Sequence, residues 1–186
     1  HVAEVFSSVA QKYDIMNDLM SLGLHRLWKQ FTIQVSGVRK GERVLDVAGG
    51  TADLARAFAR RVGATGQVWL TDINNAMLTV GRDRLLDEGV MAPVAQCDAE
   101  KLPFPDNHFD IVTLQFASRH LRVREVFSEI LRVLKPGGHF HHSDMLRPRN
   151  PIVKNLYYAY LKTCLNFTSL IVGSSPAATR FKQYFI

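Results

Sequence analysis

The rhythm of apolar positions changes twice along the chain. Over the first forty residues it is helical: Val5, Val9, Tyr13 and Met16 form one stripe. Trp28, Phe31 and Ile33 fall within a second predicted helix, Leu24–Val35, which ends before Gly37 and the Lys40-Gly41-Glu42 turn. From Arg43 onward, short apolar runs alternate with amphipathic stretches. Strands are predicted over 43–48, 67–71, 93–97, 109–114 and 139–145. Helices are predicted over 53–62, through Met77, Val80 and Leu85, and over 123–134, with Lys135-Pro136-Gly137-Gly138 as the turn into the fifth strand. After Pro151 the helical spacing returns through Tyr157, Leu161, Leu165 and Leu170. Strands alternating with helices imply right-handed crossovers, so the expected class is α/β with a doubly wound, mostly parallel sheet. The expected organisation is one domain over 1–186: a helical cap (1–40), an α/β core (41–149) and a helical lid (150–186).

Composition narrows this picture without changing it. A chain of 186 residues that is 47% hydrophobic and 22% charged is one domain's worth of sequence with material for a core. Cys97 and Cys164 have no zinc-type spacing and read as reduced thiols. Lys and Arg exceed Asp and Glu by 23 to 17, a net charge of +6, which suits an acidic partner such as an anionic membrane surface or nucleic acid. The arginines from Arg119 to Arg149 lack interleaved aromatics for base stacking, so a solvated basic face is expected there and no nucleic-acid partner. No apolar run is long enough to span a bilayer and no signal peptide opens the chain. It begins with His1 rather than Met, and the natural start is expected upstream.

In open α/β sheets, ligands bind beyond the carboxyl ends of the strands. The first strand ends in Asp46-Val47-Ala48-Gly49-Gly50-Thr51-Ala52-Asp53, where glycines let backbone approach a ligand closely. This is not a G-x-G-x-x-G dinucleotide loop. An Asp before the glycines suits a cationic ligand better than a pyrophosphate. The second strand ends in Thr71-Asp72-Ile73, 26 positions after Asp46, where a carboxylate can take two ribose hydroxyls. The third ends in Cys97-Asp98-Ala99-Glu100, where an adenine edge can be held. An adenosine-bearing sulfonium, S-adenosylmethionine, meets these requirements. The plainer alternatives are that Asp53 is a first-turn helix acid and Asp98 an ordinary turn residue.

Beyond this local chemistry, Tyr13-Asp14-Ile15-Met16-Asn17, Ser21 and His25-Arg26-Leu27-Trp28-Lys29 resemble the N-terminal signature of the ubiquinone/menaquinone biosynthesis C-methyltransferase family. Val44–Asp53, Thr71-Asp72-Ile73-Asn74, Met77-Leu78, Gly81-Arg82, Leu102-Pro103-Phe104-Pro105-Asp106, Phe109-Asp110 and Arg132–Gly138 follow the same family in order. The resemblance implies a class I methyltransferase fold. It also implies methylation of a ring carbon on a prenylated benzoquinol or naphthoquinol, with S-adenosylmethionine as donor. It puts Thr51 at the methionine end, Asp72 with Ile73 at the ribose, and Asp98 with Ala99 against the adenine. Gln115 stands where the family has a small residue near the cofactor. Arg119 is the cation that stabilises a ring phenolate, and Tyr13 belongs to a segment that closes over the site. Asp46, Gly49, Gly50, Thr51, Asp72, Ile73, Asp98, Ala99 and Gln115 are thus the cofactor candidates, and Arg119, His120 and Tyr13 the catalytic ones.

The sequence departs from the family in three places. Ala52 replaces a third loop glycine; the expectation is a first helical turn, where Ala costs nothing, with its methyl crowding the cofactor. His120 replaces the Asn of Gly-x-Arg-Asn, as a base in its own right or as the loss of a substrate-orienting carboxamide. The fifth strand reads His139-Phe140-His141-His142-Ser143-Asp144, with His139 and His141 on one face. No further ligand completes a metal site there, and Asp144 takes the place of the family's acid. These departures keep alternatives open: an acceptor other than a quinol, or a weakly active subunit of a quinone-biosynthesis complex. The resemblance further implies a cytoplasmic protein, peripheral on the inner membrane (the mitochondrial matrix side in a eukaryote), with Ile152–Tyr160 and Leu165–Val172 as a tail-facing groove or as plain packing helices. It leaves the sheet two strands short, its fifth-strand edge to be covered by further chain, a partner or a second copy.

Overall fold

The computed structural model describes residues 10, 13–144 and 149–172, except the side chains of Tyr13, Asp14, Met16, Met20 and 165–172. The chain divides into two compact units, one spanning Lys29–Asp144 and the other combining His1–Trp28 with Met145–Ile186.

In the larger unit the strands are β1 (Arg43–Val47), β2 (Gln67–Asp72), β3 (Val94–Gln96), β4 (Phe109–Gln115) and β5 (Leu134–Ser143). All pair in parallel, in the order β3-β2-β1-β4-β5. The chain winds outward from β1 to β3 and then crosses to β4, so the order reverses between β1 and β4. Such a reversal leaves a crevice at the carboxyl ends of those two strands.

Alternation along the strands divides the core in two. Val44, Val68, Leu70 and Ile111 face α3 (Asp53–Val62) and α4 (Asn75–Asp87), joined by Ile33 of α2 (Leu24–Val35). Leu45, Val47, Val112 and Leu114 face α5 (Val123–Val133) on the other side. Buried on both faces, the central strands read as continuous apolar runs, as parallel strands do.

Two of the quoted motifs serve this framework. Arg132 of α5 donates to the carbonyls of Leu102 and Phe104 and pairs with Glu129 and Asp106, while Glu129 accepts the N–H of Leu102. The Leu-Pro-Phe-Pro-Asp segment is thereby clamped as the lead-in to β4. Lys135 donates to Asp110 Oδ1 at 2.6 Å, and the other oxygen of Asp110 accepts the N–H of Arg43 at 2.8 Å. The Lys-Pro-Gly-Gly segment is not a turn before the fifth strand but an excursion within it. Phe109 pairs with Leu134 and Ile111 with His139, so two steps along β4 match five along β5. Among the described residues, β5 is paired on one side only.

In the smaller unit, α1 (Tyr13–Ser21) is closed by Leu22 and Gly23, both at positive φ (51° and 73°). Asp18 accepts both arms of the Arg26 guanidinium. Helix α6 (Pro151–Val172) reaches α1 through Tyr160, whose hydroxyl donates to the carbonyl of Leu19 at 2.5 Å.

Candidate active site

Asp46 is the penultimate residue of β1, at the point where the strand order reverses. Its side chain is 2% exposed, and Thr113, its neighbour on β4, donates to Oδ1 at 2.7 Å. Oδ2 is buried without a hydrogen-bond partner. Burial lifts the carboxyl to about 6, against the opposing hydrogen bond from Thr113 and the charge of Lys29.

The loop after Asp46 leaves no room for side chains. A Cβ on Gly49 would lie 2.5 Å from Asp46 Oδ2 and 2.5 Å from Leu70 Cδ1. Gly50 has φ +55° and its N–H donates to Asp72 Oδ2 at 3.0 Å, while Asn74 N–H donates to Oδ1 at 2.9 Å. Asp72 is therefore aimed by main chain on both oxygens, and each keeps a lone pair for a further donor. Burial raises its carboxyl above the ordinary range, opposed by the N–H groups of Asn74, Gly50 and Ile73. Thr51 is buried beside Gly50, and Ile73, just beyond Asp72, is 58% exposed.

Asp98 lies past the end of β3, exposed, with Oδ1 accepting the N–H of Glu100 at 2.9 Å. Ala99 is buried among Leu102, Phe104 and their neighbours. On the other side of the crevice, Gln115 ends β4 and donates from Nε2 to Thr32 on α2 at 2.5 Å. Phe116 follows at φ 56°, a strained backbone for a bulky side chain. Arg119 and His120 then occupy a single 3₁₀ turn, Ser118–His120. Asp144, at the end of β5, holds that turn by accepting from both the N–H and the hydroxyl of Ser118. Burial and the Arg119 charge lower the His120 imidazole below its ordinary value and so favour its neutral form, partly offset by Asp144. Of the candidates, all but Tyr13 thus lie along the carboxyl edge of one sheet. Tyr13 opens α1 in the other unit, and its side chain lies outside the described residues.

Ala52 corrects an expectation. It adopts φ 68° as the N-cap residue of α3, a left-handed conformation costing a non-glycine residue about 1–2 kcal/mol. Its methyl does not crowd the cofactor loop. It is fully buried in the core, 3.2 Å from where a Cβ on Gly81 would lie.

Several site residues escape sequence reasoning. Gly81 of α4 lies against the loop itself: a Cβ there would meet the Gly50 carbonyl at 2.7 Å. Asn74 caps α4 by accepting from Ala76 and Met77 N–H, a cap readable from an Asn just before a helix. Lys29 of α2 bridges to Asp53 at 2.6 Å beside the loop. Burial works against ionisation of Asp53, but Lys29, Arg56 and Arg84 outweigh it and hold the carboxyl low. Asp53 is thus a helix-turn acid with a structural task.

A sequence model of the ubiE/COQ5 methyltransferase family matches residues 1–184. The chain belongs to this family. It is 67% identical over 138 residues to the ubiquinone/menaquinone biosynthesis C-methyltransferase UbiE of Nitrosospira multiformis, covering 74% of this chain and 57% of that protein. To UbiE of Cupriavidus taiwanensis it is 65% identical over 177 residues, covering 95% of this chain and 73% of that protein. The chain thus spans less than two thirds of the Nitrosospira relative's length. Among solved structures, a putative methyltransferase from Bacillus halodurans C-125 superposes with a TM-score of 0.62 at 32% identity, over 75% of this chain and 59% of that one. Geranyl diphosphate C-methyltransferase from Streptomyces coelicolor A3(2) shares the fold, with a TM-score of 0.60 at 19% identity over 66% of this chain and 48% of that one.

Proposed function

We propose that this chain is the cofactor-binding part of an S-adenosylmethionine-dependent C-methyltransferase acting on a prenylated benzoquinol or naphthoquinol. One observation carries the reading: at the strand reversal, the glycine loop of β1 donates its Gly50 N–H to Asp72 of β2. A bare loop beside an anchored carboxylate suits an adenosyl ligand. The buried, unpaired Oδ2 of Asp46 suits the cationic methionine end, and Asp72 the ribose diol. Asp98 and Ala99 would border the adenine.

When bound, the cofactor supplies an electrophilic methyl group on sulfur. The protein's part is positioning, exclusion of water and handling of one proton. His120, neutral and held in the turn fixed by Asp144, takes the proton of a ring hydroxyl; Arg119 stabilises the resulting phenolate, whose ring carbon is the nucleophile. Tyr13 is kept as a catalytic candidate on the family resemblance alone.

A prenyl tail resides in a bilayer, so the reading includes contact with an anionic membrane surface, supported by the +6 net charge. Leu24, Leu27, Trp28, Phe31 and Val35 of α2, each at least half exposed, add an apolar stripe that sequence reasoning treated only as a helix signal. Among the described residues, no helix is long and apolar enough to cross a membrane. A homodimer or a quinone-biosynthesis complex would supply partners for the side of β5 that is unpaired among the described residues.

Isothermal titration with S-adenosylmethionine, followed by mass spectrometry of products from both quinol classes, tests the reading. Binding and the gain of one methyl group on a ring carbon are expected. Absence of cofactor binding by folded protein overturns it.

A further inference from the structure

Lys29 belongs to the N-terminal signature, and the helix that carries it brings it to the loop after β1. One face of α2 lies across the strand reversal: Ile33 packs with Val44 and Ala52 in the core, and Thr32 pairs with Gln115 at the end of β4. One turn earlier, Lys29 donates to Asp53 Oδ2 at 2.6 Å, and Asp53 is the first residue of α3. The same ammonium is the strongest charge acting on Asp46, which also feels the N–H of Ala55 in the first turn of α3. Asp46, Lys29 and the start of α3 thus converge.

Each of the three has capacity for a further partner, and the signs differ. Asp46 Oδ2 is a buried acceptor without a hydrogen-bond partner, and a carboxylate so placed is best met by a cationic donor. An ammonium carries three N–H groups, and Asp53 takes one of those on Lys29. Asp53 does not depend on Lys29 for its neutralisation, because Arg56 donates to its other oxygen at 3.0 Å and Arg84 stands at 3.8 Å. The N-cap residue of α3, Ala52, makes no side-chain cap bond to the first-turn N–H groups, so that helix end keeps its attraction for an anion. A cation fits beside Asp46, and an anion fits beside Lys29. A ligand that bears both charges on one carbon meets both demands at once.

We propose that Asp46, Lys29 and the N terminus of α3 form a subsite for a zwitterionic amino-acid group, the amino-acid end of the cofactor, with Asp46 Oδ2 taking the ammonium and Lys29 the carboxylate. The assignment deepens the methyltransferase reading above and rests on it. Lys29 is then a specificity-determining residue: the site selects a donor with an intact amino acid and holds an otherwise identical sulfonium without the carboxylate weakly.

Titration of the folded protein with three ligands tests this. They are S-adenosylmethionine, its decarboxylated analogue, which keeps the sulfonium and the ammonium, and 5′-methylthioadenosine, which lacks the amino-acid end altogether. Wild type should prefer the intact cofactor to the decarboxylated analogue about thirtyfold. Lys29→Met should weaken the intact cofactor about thirtyfold and the other two ligands by less than about threefold, so that the preference collapses. Asp46→Asn should instead weaken the intact and decarboxylated ligands alike and spare 5′-methylthioadenosine, because only the first two carry the ammonium. Thermal melts identify any variant that fails to fold, and Lys29→Gln, which keeps a hydrogen bond to Asp53, carries the test if Lys29→Met does. Equal weakening of all three ligands by the Lys29 variant would make Lys29 a structural tie to Asp53 and overturn the proposal. Equal binding of the intact and decarboxylated ligands by wild type would overturn it as well. Failure of wild type to bind any of the three has a different signature and overturns the cofactor reading itself.

Discussion

Along the β1–β2 side of the crevice, the groups proposed to meet the cofactor are held by main chain. Asp72 accepts two backbone N–H groups, Gly49 and Gly50 fill space that no side chain can enter, and Gly81 lets α4 touch the Gly50 carbonyl. Along the β4–β5 side, the corresponding groups are held by other side chains. Thr32 orients Gln115, Asp144 fixes the turn of Arg119 and His120, and polar atoms of Gln115 and His141 remain unpaired. A ligand shared by every relative can be recognised by backbone geometry. An acceptor that varies is better met by side chains, each replaceable without rebuilding a loop. The first side leaves little room for a substitution at Gly49, and the second carries His120 and the His-rich fifth strand, two of this chain's three departures from its family.

Substitutions can break that contrast. Gly49→Ala should have the largest effect, because its methyl would displace both Asp46 and Leu70. We expect about 2 kcal/mol or more of destabilisation and on the order of a hundredfold loss of cofactor affinity, read by thermal denaturation and titration. Asp144→Ala should act only on the other side. Turnover should fall about tenfold as the Arg119–His120 turn loosens, with cofactor affinity unchanged. Equal losses of affinity in both variants would erase the distinction between the two sides.

Asp46 lies on the boundary and gives a pH signature. Its folded-state value, about 6, is above the ordinary 3.8. Its contribution is therefore fully present below about pH 4 and is lost as pH rises through 6. Asp46→Asn keeps an acceptor for Thr113 and removes the titration. Relative to this variant, wild type should lose up to about 3 kcal/mol between pH 4 and pH 7. The variant should be the more stable protein at neutral pH and the poorer cofactor binder. Melting curves across that range check the first statement, and parallel curves would refute it.

The smallest effect is expected at Ala52→Gly. Relief of the left-handed backbone, about 1–2 kcal/mol, is opposed by loss of a buried methyl, roughly 0.8 kcal/mol. Stability should change by about 1 kcal/mol or less, and cofactor affinity not at all, since the methyl faces Gly81. A gain in affinity would return Ala52 to the cofactor pocket.

The strand–helix alternation was legible because burial on both faces makes each β-run apolar, and each intervening helix shows its own spacing. The loop after Asp46 and the acid at Asp72 were legible for the same local reason: both sit at strand ends. What the sequence concealed is long-range. Nothing near Lys29 announces Asp53, and nothing in Arg132-Val133-Leu134 announces the carbonyls of Leu102 and Phe104. Ala52 misled because a residue after two glycines can open a helix in either backbone hand, and composition alone does not choose. Lys135–Gly138 misled because Pro-Gly-Gly has the chemistry of a turn, while its pairing partner, β4, lies far away in sequence.

That excursion in β5 has an evolutionary and practical consequence. The ladder downstream of it is set by Ile111 to Gln115 pairing with His139 to Ser143. Extra chain between Leu134 and His139 is taken up outside the register, with Lys135 tied to Asp110 and Gly138 packed closely against the Asp110 carbonyl. Length variation should therefore be tolerated there without shifting His141 against Thr113 or Asp144 against Ser118. The segment behaves as an expansion joint, and a short epitope or a fluorophore inserted beside Gly137 offers a way to mark the protein while leaving its chemistry in register.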